Sequence, residues 1–456
     1  MIPTHTDAIL DRQAARESSA RTYARWLGAV PVRARGAELE TADGRVLLDC
    51  LAGAGTLALG HNHPEVVGAI EEVLASGAPL HALDFATPWK DDLTTELLAA
   101  LPEAFRRTRP RLHFCGPAGT DAVEAAIKLC QTGTGRQGIL AFTGAYHGMT
   151  LGALAASAGV ATKAPVAGLG TDVTRLPFPY ALRCPFGLGP HGATVSARYV
   201  ERLLDDPNGG VVPPALMLLE AVQGEGGVVP APDEWLRTMR RITERHGIRL
   251  VVDEVQSGVG RTGTMWAHER AGIVPDAIVM SKAIGGSLPL AVVAYRGDLD
   301  GWAPGAHTGT FRGTTLAMAT GAATLRVVRR DRLAERAGRL GAWIAEELRE
   351  RLAGHPAVAE VRGRGLMLGV ELVDPAGAPD GLGVRPAAPR LAAAVRAACL
   401  ERGLIVELGG RHDSVVRLLP PLVLSDAQAE RVVAVLGDVV RTEGDRARGA
   451  ALEVAA

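Results

Sequence analysis

Lys282 stands directly after a short apolar stretch, Ala277–Met280, and directly before a glycine-rich turn. This position takes the amine partly out of water, which lowers its pKa and frees it to form an imine with a carbonyl group. Only four of the 49 residues that are Lys or Arg are lysines. Arginine cannot replace lysine in imine chemistry because guanidinium does not give up its proton. A purely structural lysine is the alternative interpretation.

Acidic residues follow two further apolar stretches. Asp253 ends the stretch that begins at Arg249, and Glu220 ends Ala215–Leu219, with Glu225 on the glycine-rich turn beyond it. An anion fixed at Asp253 suits a protonated pyridinium nitrogen and strengthens the pull of such a ring on electrons. Magnesium binding or a turn cap is the alternative for Asp253. Glu220 and Glu225 lie close together at a glycine-rich turn, where two carboxylates could orient other groups or bind cations; a solvated surface turn is the alternative.

A fourth apolar stretch, Arg111–Cys115, leads into a glycine-rich turn that opens a helix-like segment. Gly119 and Thr120 lie where that helix begins. Free backbone N–H groups and the positive end of the helix dipole favour phosphate at such a place. A plain loop with an N-cap at Thr120 or Asp121 explains the same residues without a ligand.

A fifth apolar stretch, Gly138–Phe142, is followed by Tyr146, whose ring could stack on a flat cofactor or simply cap the core. Taken together, a phosphate seat, an aromatic ring, an anion and a lysine are the parts of a pyridoxal-phosphate site. Parallel strands present their carboxyl ends along one edge of a sheet, where one crevice would gather these residues.

The five apolar stretches alternate with helix-like segments such as Asp121–Leu129 and Asp233–His246. Buried strands alternating with helices predict an α/β fold with a mostly parallel sheet covered on both faces. The sequence therefore predicts a large domain over residues 71–325 that positions the candidate site.

The rest of the chain predicts a smaller α+β domain. A long helix is predicted over Leu316–Ala353, and it is followed by three strand-like pieces. These pieces are Gly365–Leu372, Leu404–Glu407 and Val415–Leu419. Residues 326–456 are assigned to this domain. Residues 1–70 are expected to join it because they contain a hairpin-like stretch, Ala37–Asp49.

Composition excludes several classes of protein. The net charge is −1, with no basic patch typical of nucleic-acid binding. No apolar run is long enough to span a bilayer, and the N-terminus lacks the pattern of a signal peptide. The five cysteines are scattered, which argues against a disulfide framework or a metal site. A cytoplasmic protein is expected.

Several motifs, in order along nearly the whole chain, resemble the class III (ornithine/GABA-type) aminotransferases of pyridoxal-phosphate fold type I. These motifs are GPAGTDAVEAAIK, GAYHG, EAVQGEGG, LVVDEVQSGVGRTG and SKAIGG. Within that class, CLAGAGTLALGHNHPEV and LHALDFATPWKD resemble the diaminobutyrate–2-oxoglutarate aminotransferases. The resemblance implies pyridoxal 5'-phosphate as the cofactor and a homodimer, or a dimer of dimers, as the assembly.

The resemblance also implies a role for each matching residue at the cofactor. Lys282 would be the Schiff-base lysine and the proton carrier, and Asp253 would pair with the pyridine nitrogen. The other implied cofactor-binding residues are Gly119 and Thr120 at the phosphate, Tyr146 and Val255 on the two ring faces, Gln256 at the ring hydroxyl, and His147 and Glu220 beside the ring. Thr310 matches the threonine that reaches the phosphate of the neighbouring subunit.

At the substrate, the resemblance implies a switch between two residues. Arg417 matches the arginine that binds the α-carboxylate of glutamate and 2-oxoglutarate. Glu225 matches the glutamate that pairs with this arginine when an ω-amino substrate is bound. The sequence departs from the family pattern at Met149, where many relatives carry an arginine for a distal carboxylate. Thr314 and the run Glu220-Ala-Val-Gln also differ.

These implications lead to one hypothesis and three alternatives. The hypothesis is a two-step transamination between L-glutamate and an ω-aldehyde, best matched by L-aspartate-4-semialdehyde and giving L-2,4-diaminobutyrate. The alternatives are a transaminase for another ω-amine, an aminomutase on the same fold, and a non-catalytic scaffold.

Overall fold

The computed structural model describes residues 6–170 and 172–455. The strands are β1 Pro31–Arg35, β2 Glu38–Thr41, β3 Val46–Asp49, β4 Arg111–Phe114, β5 Ile139–Phe142, β6 Val173–Leu176, β7 Leu216–Leu219, β8 Val222–Gln223, β9 Val229–Pro230, β10 Arg249–Asp253, β11 Ala277–Met280, β12 Val292–Tyr295, β13 Val358–Arg364, β14 Met367–Leu372, β15 Leu404–Ile405, β16 Glu407–Gly409 and β17 Val415–Leu418.

The helices are α1 Thr6–Arg16, α2 Tyr23–Trp26, α3 Pro64–Ser76, α4 Pro88–Ala100, α5 Glu103–Arg106, α6 Gly119–Thr134, α7 Leu151–Ala156, α8 Val160–Lys163, α9 Gly192–Asp205, α10 Asp233–His246, α11 Thr315–Arg330, α12 Leu333–Arg351, α13 Pro389–Glu401 and α14 Asp426–Ala455. Within the described ranges, none of these helices has the length and apolar composition that a membrane crossing requires.

The central sheet has seven strands in the order β4-β12-β11-β10-β7-β5-β6. Only β12 runs antiparallel to its neighbours, so the sheet is mostly parallel, as predicted. Alternate residues of one strand face different cores: Leu216 and Leu218 pack with α6, whereas Met217 and Leu219 pack with α9 and α10. Helices on both faces explain why these strands are apolar along their whole length.

All five strands predicted before the candidate site residues are present in this sheet, as β4, β5, β7, β10 and β11. They run parallel to one another, so their carboxyl ends share one edge. The strands β6 and β12 were not predicted. Both complete the sheet without carrying a candidate site residue.

Two smaller four-stranded sheets flank this core. One has the order β1-β2-β3-β15, and the other has the order β13-β14-β17-β16. The parallel pairing of β3 with β15 joins the N-terminal hairpin to the C-terminal part of the chain. The pairing supports the expected union of residues 1–70 with residues 326–456. The limits at 70 and 325 stay a prediction, and both fall inside helices, α3 and α11.

The prediction of one long helix over Leu316–Ala353 is wrong. The chain forms α11 and α12, with a break at which Arg332 takes a left-handed backbone conformation (φ +52°). The break lets α11 pack on α3 and α4 while α12 packs on α14 and β13. The residues of this stretch favour helix throughout, so its composition does not indicate the break. The break depends on the surfaces that receive α11 and α12, and these are formed by segments far away in the sequence.

The strand predicted over Leu404–Glu407 is also divided. β15 ends at Ile405 and pairs with β3, whereas β16 begins at Glu407 and pairs with β17. The chain thus passes from one small sheet to the other across Val406, which is buried. This change of partner decides where the side chain of Glu407 lies.

Candidate active site

Lys282 follows β11 and opens a short 3-10 turn, Lys282–Gly285, with a left-handed backbone (φ +51°). The turn rests on α11, where the hydroxyl of Thr320 donates a hydrogen bond to the carbonyl of Gly285 at 2.7 Å. Gly321 permits this close approach, since a Cβ there would lie 2.2 Å from the carbonyl oxygen of Ile284. The lysine therefore projects from a fixed backbone.

The surroundings of the Lys282 amine favour its neutral form. Removal from water lowers its pKa, and the charges of Glu225 and Asp253 oppose that shift only in part. The positive charge of Arg417 adds to the lowering. A lowered pKa increases the share of neutral amine, which is the form that attacks a carbonyl carbon.

Asp253 is the last residue of β10 and is almost fully buried. Its Oδ2 lies 2.8 Å from Nδ1 of His147, and its Oδ1 accepts the backbone N–H of Val255 at 3.0 Å. His147 is held in turn, because its backbone N–H donates to the hydroxyl of Ser157 at 2.8 Å. A buried carboxylate fixed at two points is an anion preorganised for a cationic ring nitrogen.

The helix α6 begins at Gly119 and points its N-terminus at this edge of the sheet. Thr120 is not the helix cap, because it lies inside the first turn and the N-cap position is Ala118. The hydroxyl of Thr120 lies 2.6 Å from the hydroxyl of Thr150. The carboxylate of Asp121 instead accepts the backbone N–H of Ala118 at 3.0 Å from within the first helical turn. The N–H groups of the first turn remain suited to a phosphate group.

Glu220 joins two loops beneath the candidate site. Its Oε1 accepts the backbone N–H of Tyr146 at 3.1 Å, and its Oε2 accepts that of Gly224 at 2.9 Å. Burial raises the pKa of Glu220 to about 7, with a further upward effect from Asp253 and a downward effect from His147. Glu220 thus fixes the loop that presents the half-exposed ring of Tyr146.

Gln256 lies beside Asp253 with its amide orientation fixed. Its Nε2 donates to the carbonyl of Ala54 at 3.2 Å and to Oε1 of Glu225 at 3.3 Å. Its Oε1 is buried and has no partner among the described residues. A ligand hydroxyl that donates a hydrogen bond would satisfy this oxygen.

These residues fit pyridoxal phosphate group by group. The Lys282 amine suits an aldehyde, the Asp253 carboxylate suits a protonated ring nitrogen, and the orphaned oxygen of Gln256 suits a ring hydroxyl. The α6 N-terminus suits the phosphate. A Cβ at Gly119 would lie 3.0 Å from Cγ1 of Val255, so that turn presents backbone rather than a side chain.

At the substrate end, Glu225 and Arg417 form a closed ion pair. The two guanidinium nitrogens lie 3.0 and 2.9 Å from the two carboxylate oxygens, and Arg417 is 1% exposed. Burial opposes ionisation of Glu225, but the charges of Arg417 and Lys282 outweigh it and lower its pKa. The turn is also clamped from the small sheet, since the N–H of Gly410 donates to the carbonyl of Glu225 at 2.9 Å.

The predicted site residue Thr310 makes no hydrogen bond to another predicted site residue within the described ranges. Its carbonyl lies 2.8 Å from Nε2 of His81, on an exposed loop. The loop lines a cavity of about 830 Å³ with residues such as His113 and Trp302. No other predicted cofactor-binding residue lines this cavity.

Tyr23 and Glu407 reach the substrate end and were not predicted. The pKa of Tyr23 is raised to about 12 by burial and then by the charges of Glu407 and Glu225. No local motif marks either residue. Glu407 could have been found only from the pairing of β16 with β17, and Tyr23 only from the docking of α2.

Comparison with known proteins gives a consistent result. The profile of the family described as Aminotransferase class-III matches residues 18–440. A protein of Rhizobium meliloti named diaminobutyrate–2-oxoglutarate aminotransferase is 53% identical, over 96% of this chain and 93% of its own length. A protein of the same name from Haemophilus influenzae is 48% identical, over 93% of both chains.

Solved structures agree with these relatives. An (S)-enantioselective omega-transaminase from Thermomicrobium roseum is 27% identical and superposes with a TM-score of 0.84, over 96% of this chain and 98% of its own. A PLP-bound amine transaminase from an uncultivated Pseudomonas species is 26% identical, with a TM-score of 0.82 over 95% and 98%.

Proposed function

This chain belongs to the class III aminotransferases, and from that premise we propose that it exchanges an amino group between L-glutamate and L-aspartate-4-semialdehyde, giving 2-oxoglutarate and L-2,4-diaminobutyrate. The enzyme depends on pyridoxal phosphate. The names of the relatives at 53% and 48% identity support this choice of substrates. In the molecule itself, the observation that carries the proposal is the closed Glu225–Arg417 pair beside Lys282.

The closed pair suits a site that serves two kinds of donor. Glutamate reacts at its α-carbon, so its α-carboxylate needs the Arg417 guanidinium. Diaminobutyrate reacts at its terminal amine, where no carboxylate is attached, so the same guanidinium must be masked. A bidentate arginine–carboxylate pair is strong, and a substrate carboxylate can take the place of Glu225 in the same geometry.

The residues around the cofactor divide the remaining work. Pyridoxal phosphate, when bound, supplies a conjugated ring that accepts the electron pair of the broken C–H bond. Nζ of Lys282 takes up the proton from the amine-bearing carbon, and its lowered pKa keeps a larger share of the amine in the neutral form that can accept a proton. Asp253 keeps a negative charge at the ring nitrogen, and its contact with His147 holds that charge in place.

Assembly and location form part of the same proposal. We infer a homodimer in which Thr310 completes the phosphate site of the neighbouring subunit. This loop is exposed and lines a cavity that none of the other predicted cofactor-binding residues lines, which supports that arrangement. A cytoplasmic location fits the small-molecule substrates.

The test is a product assay on the purified enzyme with L-2,4-diaminobutyrate, in the presence and absence of 2-oxoglutarate. We expect glutamate to form in step with the consumption of diaminobutyrate, and no turnover without the keto acid. Continued turnover without 2-oxoglutarate would identify an aminomutase instead. Faster turnover of another terminal amine, such as L-ornithine, would show that diaminobutyrate is not the preferred substrate.

A further inference from the structure

Glu407 lies beside Arg417 in the small C-terminal sheet. The two residues are direct partners on the antiparallel strands β16 and β17. Side chains of such partners leave the same face of a sheet, with Cβ atoms about 4.5–5.5 Å apart. Because Arg417 points at the substrate end, the carboxylate of Glu407 reaches that end as well.

The carboxylate of Glu407 is buried but incompletely bonded. The residue is 7% exposed, and its Oε1 accepts only the backbone N–H of the adjacent Leu408, at 2.9 Å. Its Oε2 is fully enclosed and has no partner among the described residues. Burying a carboxylate oxygen without a hydrogen-bond donor is costly in free energy. A ligand group that donates a hydrogen bond to this oxygen would offset that cost.

The two nearby cations are engaged elsewhere. The terminal nitrogens of Arg417 bind Glu225. Arg396 is stacked over the ring of Trp26, with its guanidinium carbon 4.4 Å from the ring centre. Both charges are felt at Glu407, yet neither guanidinium bonds to it.

This arrangement leaves the carboxyl group of Glu407 without a bonded cation while the Glu225–Arg417 pair is closed. The charges of that pair cancel, and no cation bonds to Glu407 within the described residues. Burial raises the pKa of Glu407, so a bound ammonium group would favour its charged form. Tyr23, which faces both carboxylates, keeps its proton because its pKa is raised to about 12 by burial and by their charges. A buried carboxyl oxygen without a donor, close to a neutral hydroxyl, suits a ligand ammonium group.

We propose that Glu407 is a specificity-determining residue that binds the α-ammonium group of the terminal-amine donor. The proposal rests on the proposed transamination and adds the feature by which the site selects its donor. Diaminobutyrate carries this ammonium group on C2, two positions along the chain from C4, which bears the reacting amine. Neither 4-aminobutyrate nor glutamate has an ammonium group at the end remote from the reacting carbon.

The experiment compares Glu407→Gln with the wild type in single half-reactions followed by the cofactor absorption spectrum. The donors are L-2,4-diaminobutyrate, 4-aminobutyrate and L-glutamate. Glutamine keeps the size and the Leu408 contact but removes the charge. We expect the apparent Kd of diaminobutyrate to rise roughly tenfold or more, and the other two to change by less than about threefold. Glu401→Gln, an exposed glutamate at the end of α13, is the matched control.

A second measurement does not depend on turnover or on the folding of a variant. L-Homoserine carries a hydroxyl in place of the reacting amine, and 4-hydroxybutyrate also lacks the α-ammonium group. We expect homoserine to raise the melting temperature of the wild-type holoenzyme more than 4-hydroxybutyrate does. This difference should vanish in Glu407→Gln, whose unliganded melting temperature serves as the folding check.

The outcomes separate this proposal from the one it rests on. Equal losses for all three donors, or a loss confined to glutamate, would overturn the role of Glu407 while transamination stands. Equal stabilisation of the wild type by homoserine and 4-hydroxybutyrate would overturn it too. A wild-type enzyme that does not react with diaminobutyrate would overturn the proposed function and this inference together.

Discussion

The cofactor end and the substrate end of the site are built in different ways. At the cofactor end, Asp253 ends one strand of the central sheet and Lys282 and Tyr146 follow two others. Hydrogen bonds fix the Asp253 carboxylate, the Tyr146 backbone and the turn that begins at Lys282. At the substrate end, Glu225 lies in the turn between β8 and β9, Arg417 lies on β17, and the two meet in an exchangeable ion pair. A fixed end suits chemistry common to every donor, and an exchangeable end suits a choice between donors.

The largest expected effect is that of Lys282→Ala. Both half-reactions should slow by ~10²–10⁴-fold or more, because the proton carrier is lost whichever donor is bound. The absorption band of the lysine-linked cofactor should disappear. Lys282→Arg keeps a positive charge but cannot form the imine or give up its proton, so it should fail equally. Turnover at the wild-type rate in either variant would refute the assigned role.

Asp253→Asn should come next and should also affect all donors alike. Loss of the buried anion weakens the pull of the ring on electrons, and we expect kcat to fall by ~10²–10³-fold. His147 loses its charged partner at the same time. Rapid-quench or spectral measurement of each half-reaction checks this prediction. A loss below tenfold, or one restricted to a single donor, would contradict the fixed-end account.

Arg417→Lys should separate the donors. A lysine cannot make the bidentate contact, so the KM for glutamate and 2-oxoglutarate should rise roughly 30-fold or more. The half-reaction with diaminobutyrate should change far less, because the arginine is masked when that donor is bound. Steady-state kinetics with each substrate varied in turn gives the comparison. Equal increases for both donors would argue against the exchange.

Glu225→Gln should produce the smallest change and the opposite preference. Without its mask, Arg417 should bind glutamate more tightly, and KM should shift by about tenfold in favour of glutamate over diaminobutyrate. An unpaired buried arginine also destabilises the fold, so 2-oxoglutarate should raise the melting temperature of this variant more than that of the wild type. If the ratio of the KM values for glutamate and diaminobutyrate is unchanged, Glu225 does not mask Arg417.

The two ends also differ in how far the sequence predicts them. Asp253 and Lys282 follow apolar strands in local motifs, so their strands and their shared sheet edge could be read from periodicity. Glu225 was marked by its glycine-rich turn, but Arg417 and the pairing of the two residues emerged only through resemblance to a family. Glu407 depends on the pairing of β16 with β17 and on the change of sheet at Val406, neither of which a local pattern encodes. The break between α11 and α12 escaped prediction for the same reason.

The visible absorption spectrum of the purified holoenzyme, before and after addition of L-2,4-diaminobutyrate alone, tests the central claim most directly. We predict the band of a cofactor linked to Lys282, replaced on addition of the donor by the band of the aminated cofactor. If the band is unchanged by diaminobutyrate but is replaced on addition of glutamate, the cofactor site is supported and the proposed donor is contradicted. The absence of any band after reconstitution with pyridoxal phosphate would contradict the account as a whole.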